Sequence, residues 1–332
     1  MTFEDRVSAM EAWGFLPRQA RFLVTVALHS GYCLRRHYTT FTGTQNGKNV
    51  QRFLDGLVAR ELAVRMTYRP DRGHVYHLHN RSLYRALGDE HDRNRRYASA
   101  ALIARRLMLL DVVLQEPDAH WVATEADKVA LFTDRFHVPH EDLPRHTWVS
   151  RDANLRTTRH FMHKLPIALV GTPPIVQLVY LATDVSAAPF ERFLREHARL
   201  LSAVPAWTVV VAHPIRVRAT GVWDDTFRRF VGGDVAVTPS RARDLERYFV
   251  ARKAVEQNEL ARLSVAELQT FRAARLGFAE PRIEALFSRW AASGEPRLDP
   301  SFLANARPQP GRLIVQALTH TYEQFGSYAG VL

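Results

Sequence analysis

Residues 44–58 read TQNGKNVQRFLDGLV, and this stretch decides how the first third of the chain folds. Its apolar residues recur at intervals of three and four, which places them along one side of an α-helix. They are Val50, Phe53, Leu54, Leu57 and Val58. The residues at the start of the stretch and between the apolar positions carry amide, hydroxyl and cationic groups. The pattern therefore predicts a helix over Thr44–Glu61 with one buried face and one polar, exposed face.

Two further helices are predicted before this one. Pro17 suits the first turn of a helix, and Gly31 ends that helix. A short second helix over Leu34–Phe41 follows, with Gly43 in the turn after it. Three helices in this order predict a helix-turn-helix whose third helix is the exposed one.

A β-hairpin is predicted after the third helix. Residues 63–68 and 74–79 each alternate between two faces, and residues 70–73 between them read PDRG, a turn signal. Arg69 and Arg72 lie at the predicted hairpin tip, and Asn80 can cap a closing helix that runs to Leu87. Helices followed by such a hairpin predict a winged helix-turn-helix domain over residues 1–96.

The charge of the chain is concentrated in this region. The 332 residues have a formal net charge of +11, and residues 17–106 hold 17 Lys+Arg against 6 Asp+Glu, so the remainder is balanced. A segregated basic region is typical of proteins that bind polyanions. A membrane surface is the competing polyanion, but no basic amphipathic helix with a clean apolar face dominates here.

The third helix and the hairpin together predict a double-stranded DNA interface. Recognition helices meet base edges with their N-terminal residues, where amides pair with adenine and Arg or Lys with guanine. We expect Lys48, Asn49 and Arg52 to reach bases, and Arg69 and Arg72 to meet phosphate or the minor groove. The full predicted set is Arg35, Arg36, Thr44, Gln45, Asn46, Lys48, Asn49, Gln51, Arg52, Arg69, Arg72 and His74. The alternative is an ordinary solvated helix face beside an ordinary hairpin.

The rest of the chain predicts a mixed α/β protein. A long Leu-rich helix over 97–114, within a connecting segment 97–120, serves either core packing or a dimer contact. In the α/β domain predicted over 121–235, a strand at Ile175–Ala182, a helix at Pro189–Leu201 and a strand at Trp207–Ala212 form a β-α-β unit.

The C-terminal region, 236–332, is predicted to be helical. A long charged helix covers Arg241–Leu263, and Ser264 with Glu267 forms a capping box for the next helix. Further helices are predicted from Pro281 and over Leu313–Phe325.

Several short sequences resemble the replication-relaxation family, a group of bacterial and plasmid proteins with an N-terminal winged helix. They are QRFLDGL at 51–57, HVYHL at 74–78 and ALG at 86–88. More loosely, residues 175–211 are similar to the family's nuclease-like strand, Arg-rich helix and second strand. A nuclease core of that kind needs an acid on one strand and an acid-x-Lys on the next to hold Mg²⁺ and activate water. Residues 175–181 read IVQLVYL and hold neither, so the resemblance implies a degenerate nuclease-like domain.

Other chemistry finds little support in the sequence. Cys33 is the single cysteine, which provides neither a disulfide framework nor a cysteine-based zinc site and fits a reducing cytoplasm. His77 and His79 lie on one strand face as two metal ligands might, but surface or hydrogen-bonded histidines are the more common explanation. Residues 1–15 lack the apolar run of a signal peptide, and no apolar run approaches the roughly 20 residues of a membrane span.

Two functions from different classes remain open. The first is a sequence-specific, double-stranded DNA-binding regulator, a repressor acting as a homodimer in the cytoplasm at the nucleoid, without enzymatic activity, metal or cofactor. The second is a DNA-processing nuclease or an accessory protein of plasmid replication or mobilisation. The missing acids favour the first, and metal-dependent DNA cleavage would favour the second.

Overall fold

The structure, a computed structural model, has a mixed α/β fold, as the sequence predicts. It describes residues 1–44, 47–68, 73–149, 156–161, 165–215, 217, 221–232, 239–295, 298 and 311–322. The described helices are α1 (Phe3–Ala12), α2 (Pro17–His29), α3 (Arg35–Thr42), α4 (Lys48–Ala59), α5 (Arg81–Ala86), α6 (Ala100–Gln115), α7 (Glu125–Ala130), α8 (Ala187–Glu196), α9 (Ala198–Ala203), α10 (Val222–Gly232), α11 (Pro239–Glu256), α12 (Val265–Gly277) and α13 (Pro281–Ser293). The described strands are β1 (Tyr32–Cys33), β2 (Ala63–Tyr68), β3 (Gly73–Leu78), β4 (His120–Val122), β5 (Arg145–Val149), β6 (Arg156–His160), β7 (Ile167–Val170), β8 (Ile175–Leu181), β9 (Trp207–Pro214) and β10 (Gly311–Leu318).

The N-terminal part is the predicted winged helix-turn-helix. Helices α2, α3 and α4 pack with a small sheet of order β1-β3-β2, in which β2 and β3 form the wing hairpin. The closing helix α5 starts at the predicted cap, where Leu83 N donates to Asn80 Oδ1 at 3.0 Å. The predicted recognition helix, α4, begins at Lys48 rather than Thr44, because Gly47 is its extended N-cap.

The core of this unit forms around α2. The Phe22 ring on α2 meets Tyr38 of α3 edge-on, with centroids 5.0 Å apart, and meets Phe53 of α4 at 6.3 Å. The predicted apolar stripe of α4 is confirmed, since Val50, Phe53, Leu54 and Leu57 are buried. Each such side chain contributes about 1.5–3 kcal/mol on burial. These contacts fix which face of α4 is left for solvent.

Gly31 is a sequence requirement of the turn between α2 and β1. Its φ is +74°, and a Cβ there would overlap the backbone carbonyl of Asn94. The Gly31 carbonyl accepts a hydrogen bond from Leu78 N at 2.8 Å. One residue therefore joins α2, the wing and the segment that leads to α6.

Helix α6 lies between the winged helix and a central sheet and packs against both. Leu107 and Met108 of α6 are fully buried in a cluster that contains Val75 of the wing and Val179 and Val210 of the sheet. Of the two interpretations of this helix, the structure supports core packing. Most apolar side chains of α6 are thus covered within the chain, whereas Leu102 in its first turn is exposed, and a dimer contact through α6 stays a prediction.

The central sheet has the order β10-β9-β8-β7-β4. Strands β4, β7 and β8 are antiparallel neighbours, whereas β8, β9 and β10 are parallel. The predicted β-α-β unit is confirmed, because a helical crossover joins parallel β8 and β9. The crossover is two helices rather than one, since His197 leaves the α-helical conformation at φ −101° and ψ 2°.

The predicted helix over Leu313–Phe325 is wrong. Residues Gly311–Leu318 form β10, which pairs in parallel with β9 from Trp207 to Pro214. The Leu, Gln and Ala residues of this segment favour a helix locally, but pairing with β9 supplies hydrogen bonds and burial that override the local preference. Part of the predicted helical C-terminal region thus completes the central sheet, and residues 323–325 lie outside the described residues.

Helices α11, α12 and α13 form a C-terminal helical unit with its own apolar cluster, which includes Phe249, Phe287 and Trp290. Helix α11 ends at Glu256 rather than Leu263, and Asn258 then adopts a left-handed φ of +59°. The predicted capping box of α12 is confirmed, since Ser264 and Glu267 exchange side chain-to-backbone hydrogen bonds at 2.8 and 3.2 Å. The β5–β6 hairpin was not predicted.

Candidate nucleic-acid interface

The exposed side of α4 presents the predicted base-contacting residues. Lys48, Asn49 and Arg52 are exposed, and Lys48, Arg52 and Gly56 follow one another at four-residue spacing along a ridge. Gly47 has no side chain with which to cap the helix, and the ridge begins at the positive end of the helix dipole. The ridge therefore offers donors and positive charge.

The two cations of the ridge, Lys48 and Arg52, form no ion pair with a carboxylate of the described residues. Arg52 Nη1 donates to Asn49 Oδ1 at 3.2 Å, and neither Lys48 nor Arg52 forms an ion pair with any described residue. The Arg52 guanidinium keeps donors for a bidentate contact with guanine. The amide of Asn49 is oriented by Arg52 on the same surface.

An acid that the sequence analysis did not include lies on the wing side of α4. Gln51 Nε2 donates to Asp55 Oδ1 at 2.7 Å, and the same Asp55 atom lies 3.7 Å from Arg65 Nη1 on β2. A carboxylate repels phosphate but accepts from the cytosine amino group. This flank of α4 therefore suits base edges better than the DNA backbone.

A groove of about 650 Å³ runs along the other flank of α4. It lies between the start of α2, the end of α3 and α4, and four cations line it: Arg18, Lys48, Arg52 and Arg60. None of its lining residues is acidic. The sequence analysis missed Arg18 and Arg60 because they lie at the start of one predicted helix and near the end of another, and only the fold brings them together. The charge excess of residues 17–106 was the one available signal.

The remaining predicted residues of the helix start and wing tip have mixed outcomes. Thr44 precedes α4, is exposed, and its Oγ1 lies 2.6 Å from Thr42 Oγ1 at the edge of the groove. The assignment of Thr44 to the helix is wrong, because α4 begins at Lys48 with Gly47 as its N-cap. Gln45, Asn46, Arg69 and Arg72 lie outside the described residues. His74 is half-buried on β3, with Nδ1 at 3.2 Å from Thr67 Oγ1.

Arg36 does not face the predicted interface. Its Nη1 and Nη2 atoms lie 2.5 and 2.8 Å from the two carboxylate oxygens of Asp111 on α6, and His37 Nε2 lies 3.0 Å from the same carboxylate. The Tyr322 hydroxyl donates to Asp111 as well. The prediction that Arg36 contacts DNA is therefore wrong, because an internal ion pair occupies its guanidinium. Neighbouring Arg35 is half-buried.

Burial and ion pairing together set the pKa values of the Asp111 cluster. Burial opposes the charged form of Asp111, yet His37 and Arg36 hold the pKa of its carboxyl below its usual value. Burial lowers the pKa of His37, against the attraction of Asp111. The cluster ties α3, the helix before α4, to α6 and to the segment after β10.

Of the two wing histidines, His77 is part of the packing between the wing and the segment that leads to α6. His77 is buried and stacks on Tyr32 with ring centroids 4.1 Å apart, and its Nε2 donates to the Asn94 carbonyl at 3.0 Å. Burial lowers the pKa of His77 to about 4. Within the described part of the chain, no three His, Cys, Asp or Glu residues are grouped to hold a metal. The hydrogen-bonded alternative is confirmed for His77, and Cys33 is buried.

The middle of strand β8 carries a buried amide rather than an acid. Gln177 is buried, and its Nε2 donates to Glu116 Oε2 at 2.7 Å, just beyond the end of α6. Ala168 of β7 and Thr208 of β9 lie opposite Gln177 in the sheet. At this register the two neighbouring strands therefore present an amide and a methyl group rather than carboxylates.

Comparison with known proteins gives no match to a family model, to a curated protein or to a solved structure. Among the described residues, no helix has both the length and the apolar character that crossing a membrane requires.

Proposed function

We propose that this chain binds double-stranded DNA sequence-specifically through its winged helix and acts as a transcriptional repressor. The observation that carries the proposal is the exposed start of α4, where Lys48, Asn49 and Arg52 face outward beside a groove lined by cations alone among its charged residues. Recognition helices meet bases with such N-terminal residues. The proposal places the protein in the cytoplasm at the nucleoid and assigns it no catalytic activity. It also takes the resemblance to the replication-relaxation family as a sign of membership in that family.

The charge distribution supports a polyanionic partner. All of the formal +11 lies within residues 17–106, which form the winged helix and the start of α6. Non-specific DNA affinity follows from such charge, whereas specificity needs base contacts. The amides and cations of the α4 ridge are groups that make base contacts.

Selection of bound sequences tests this function. The full chain is mixed with a random duplex library at physiological salt, and the retained fragments are sequenced. Enrichment of a common motif supports the proposal, and its loss in a Lys48→Ala, Arg52→Ala variant assigns the motif to α4. Retention without any enriched motif contradicts sequence-specific binding.

The proposed assembly is a homodimer. Each chain holds one described winged helix, and symmetric operators are read by two-fold dimers. One face of α6 is buried within the chain, so a dimer contact on this helix would use its exposed face, which includes Leu102. Light scattering at micromolar concentration is expected to give twice the 37.9 kDa of one chain. A mass of one chain, with and without duplex, would contradict the dimer.

The alternative is a nuclease or an accessory protein of plasmid replication or mobilisation. The antiparallel β4-β7-β8 strands followed by a crossover to parallel β9 are the observation in its favour. Gln177 and Ala168 weigh against catalysis, since neither ionises to hold Mg²⁺. Cleavage of plasmid DNA that depends on Mg²⁺ and is lost in a Glu116→Gln variant would favour this alternative.

A further inference from the structure

We propose that the basic groove beside α4 holds the sugar-phosphate backbone of one DNA strand, with Arg18 and Arg60 as its phosphate-binding side chains. The inference rests on the proposed DNA binding and assigns a contact surface that lies opposite the wing side of α4. It also sets the orientation of the duplex relative to the recognition helix.

The composition of the groove favours phosphate. Its four cations are Arg18, Lys48, Arg52 and Arg60, none of its lining residues is acidic, and none of the four forms an ion pair with a described residue. Unpaired cations around one concave surface repel one another, and a phosphodiester chain relieves that repulsion while releasing its counterions.

Arg60 is held in position for such a contact. Its Nη2 donates to the Trp13 carbonyl at 2.8 Å, and its guanidinium carbon lies 4.4 Å from the centre of the Phe15 ring. These contacts use only part of the donor set of the side chain. An arginine that is already ordered loses less conformational entropy when it binds phosphate.

Arg18 comes to the same groove from a different element. It is exposed in the first turn of α2, next to the Pro17 that starts the helix. The positive end of the α2 dipole adds to its charge, and the uncapped start of α4 adds to that of Lys48. Two helix starts and four cations therefore converge on one surface.

The two flanks of α4 differ in charge, which orients the DNA. The groove flank carries only cations among its charged residues, whereas the wing flank carries Asp55, which holds Gln51 and faces Arg65. A backbone strand is attracted to the first flank and repelled by the carboxylate of the second. The bases then meet the ridge of Lys48 and Arg52 between the two flanks.

The test measures salt dependence in the full chain. Affinities for a selected duplex and a random duplex are measured across a salt series for the wild type, for Arg18→Gln and for Arg18→Gln combined with Arg60→Gln. We expect both duplexes to be weakened alike, with the slope of log affinity against log salt reduced by about one per removed contact. The ratio of the two affinities stays unchanged, because phosphate contacts carry no sequence information.

Arg21→Gln is the matched control, since Arg21 lies on the same helix but pairs with Glu4 at 2.7 Å. The double variant also loses the contact between Arg60 and Phe15, which can lower the stability of the fold. The single Arg18→Gln variant keeps that contact and tests the groove independently. If the wild type binds DNA and both groove variants keep its slope of log affinity against log salt, the inference is overturned. The proposed function is unaffected by that result. A wild-type chain that binds no duplex overturns both.

Discussion

At the scale of single residues, burial separates the charges that hold the fold from those that face outward. Arg36 and Arg52 are both arginines of the helix-turn-helix, yet Arg36 is paired with the buried Asp111 and Arg52 faces solvent without a carboxylate. Removing one partner of a buried pair leaves an uncompensated charge and costs about 3–5 kcal/mol. The outward charges carry no such structural cost and are available to a ligand.

The role of Arg52 gives a prediction about specificity. Arg52→Ala removes a proposed bidentate base contact, which is worth about 1–3 kcal/mol of discrimination, or roughly 5- to 150-fold. The ratio of affinities for selected and random duplexes should fall by that factor. In contrast, Arg72→Ala, at the hairpin tip predicted from the sequence, should weaken both duplexes and keep their ratio. The opposite pattern in a binding titration would exchange the roles of helix and wing.

His77 gives a prediction about pH. Burial holds its pKa at about 4, against about 6.5 in the unfolded chain, so the unfolded state binds the extra proton more readily. The free energy of unfolding should therefore fall as pH drops from about 6.5 to about 4, and should be unaffected by this group above that range. Urea unfolding at several pH values measures the effect.

The matched control for His77 is His91, whose side chain is 73% exposed. His77→Gln should flatten the pH dependence in this range and leave the part that comes from His37, whose pKa burial also lowers. His91→Gln should leave the profile unchanged. An unaltered profile in His77→Gln would show that His77 is not the titrating group.

At the scale of elements, Gly56 is an unexpected residue in the middle of α4. A Cβ at Gly56 would have no heavy atom within 4 Å, so packing inside the chain does not require glycine. Glycine in a helix interior costs about 0.5–1 kcal/mol relative to alanine. The proposed DNA binding would give the glycine a physical reason, since glycine allows a close approach of the DNA to the ridge at this point.

Gly56→Ala should separate stability from binding. We expect the free energy of unfolding to rise by about 0.5–1 kcal/mol, because the helix loses its most flexible residue. DNA affinity should fall in the same variant, since the added methyl group stands on the ridge between Arg52 and the end of α4. Denaturant midpoints and duplex titrations measure the two effects. Higher stability with unchanged affinity would place the DNA away from Gly56.

At the scale of the whole molecule, α6 makes the winged helix and the central sheet share one core. Leu107 is fully buried, and its neighbours in the apolar cluster come from both units. Leu107→Ala should cost about 2–5 kcal/mol through lost burial and a cavity. We expect hydrogen-exchange protection to fall together in α2 and β9. Loss of protection in one unit alone would show that the two units fold separately.

The sequence by itself determined the elements that depend on local rules. The apolar spacing of Val50, Phe53 and Leu57 defined α4, the PDRG turn with its alternating flanks defined the hairpin, and Ser264 with Glu267 defined the start of α12. Helix periodicity, strand alternation and capping each act over a few residues, so one chain segment contains all the information they need.

Tertiary structure decided what depends on distant partners. Arg36 is removed from the interface by Asp111, 75 residues away, and Arg18 and Arg60 meet only because α2 and α4 pack together. Residues 311–318 become a strand because β9 presents a free edge to them. Each outcome depends on a long-range contact whose hydrogen bonds, burial or charge outweigh the local preference of the segment. Local sequence patterns do not predict which distant residue will form that contact.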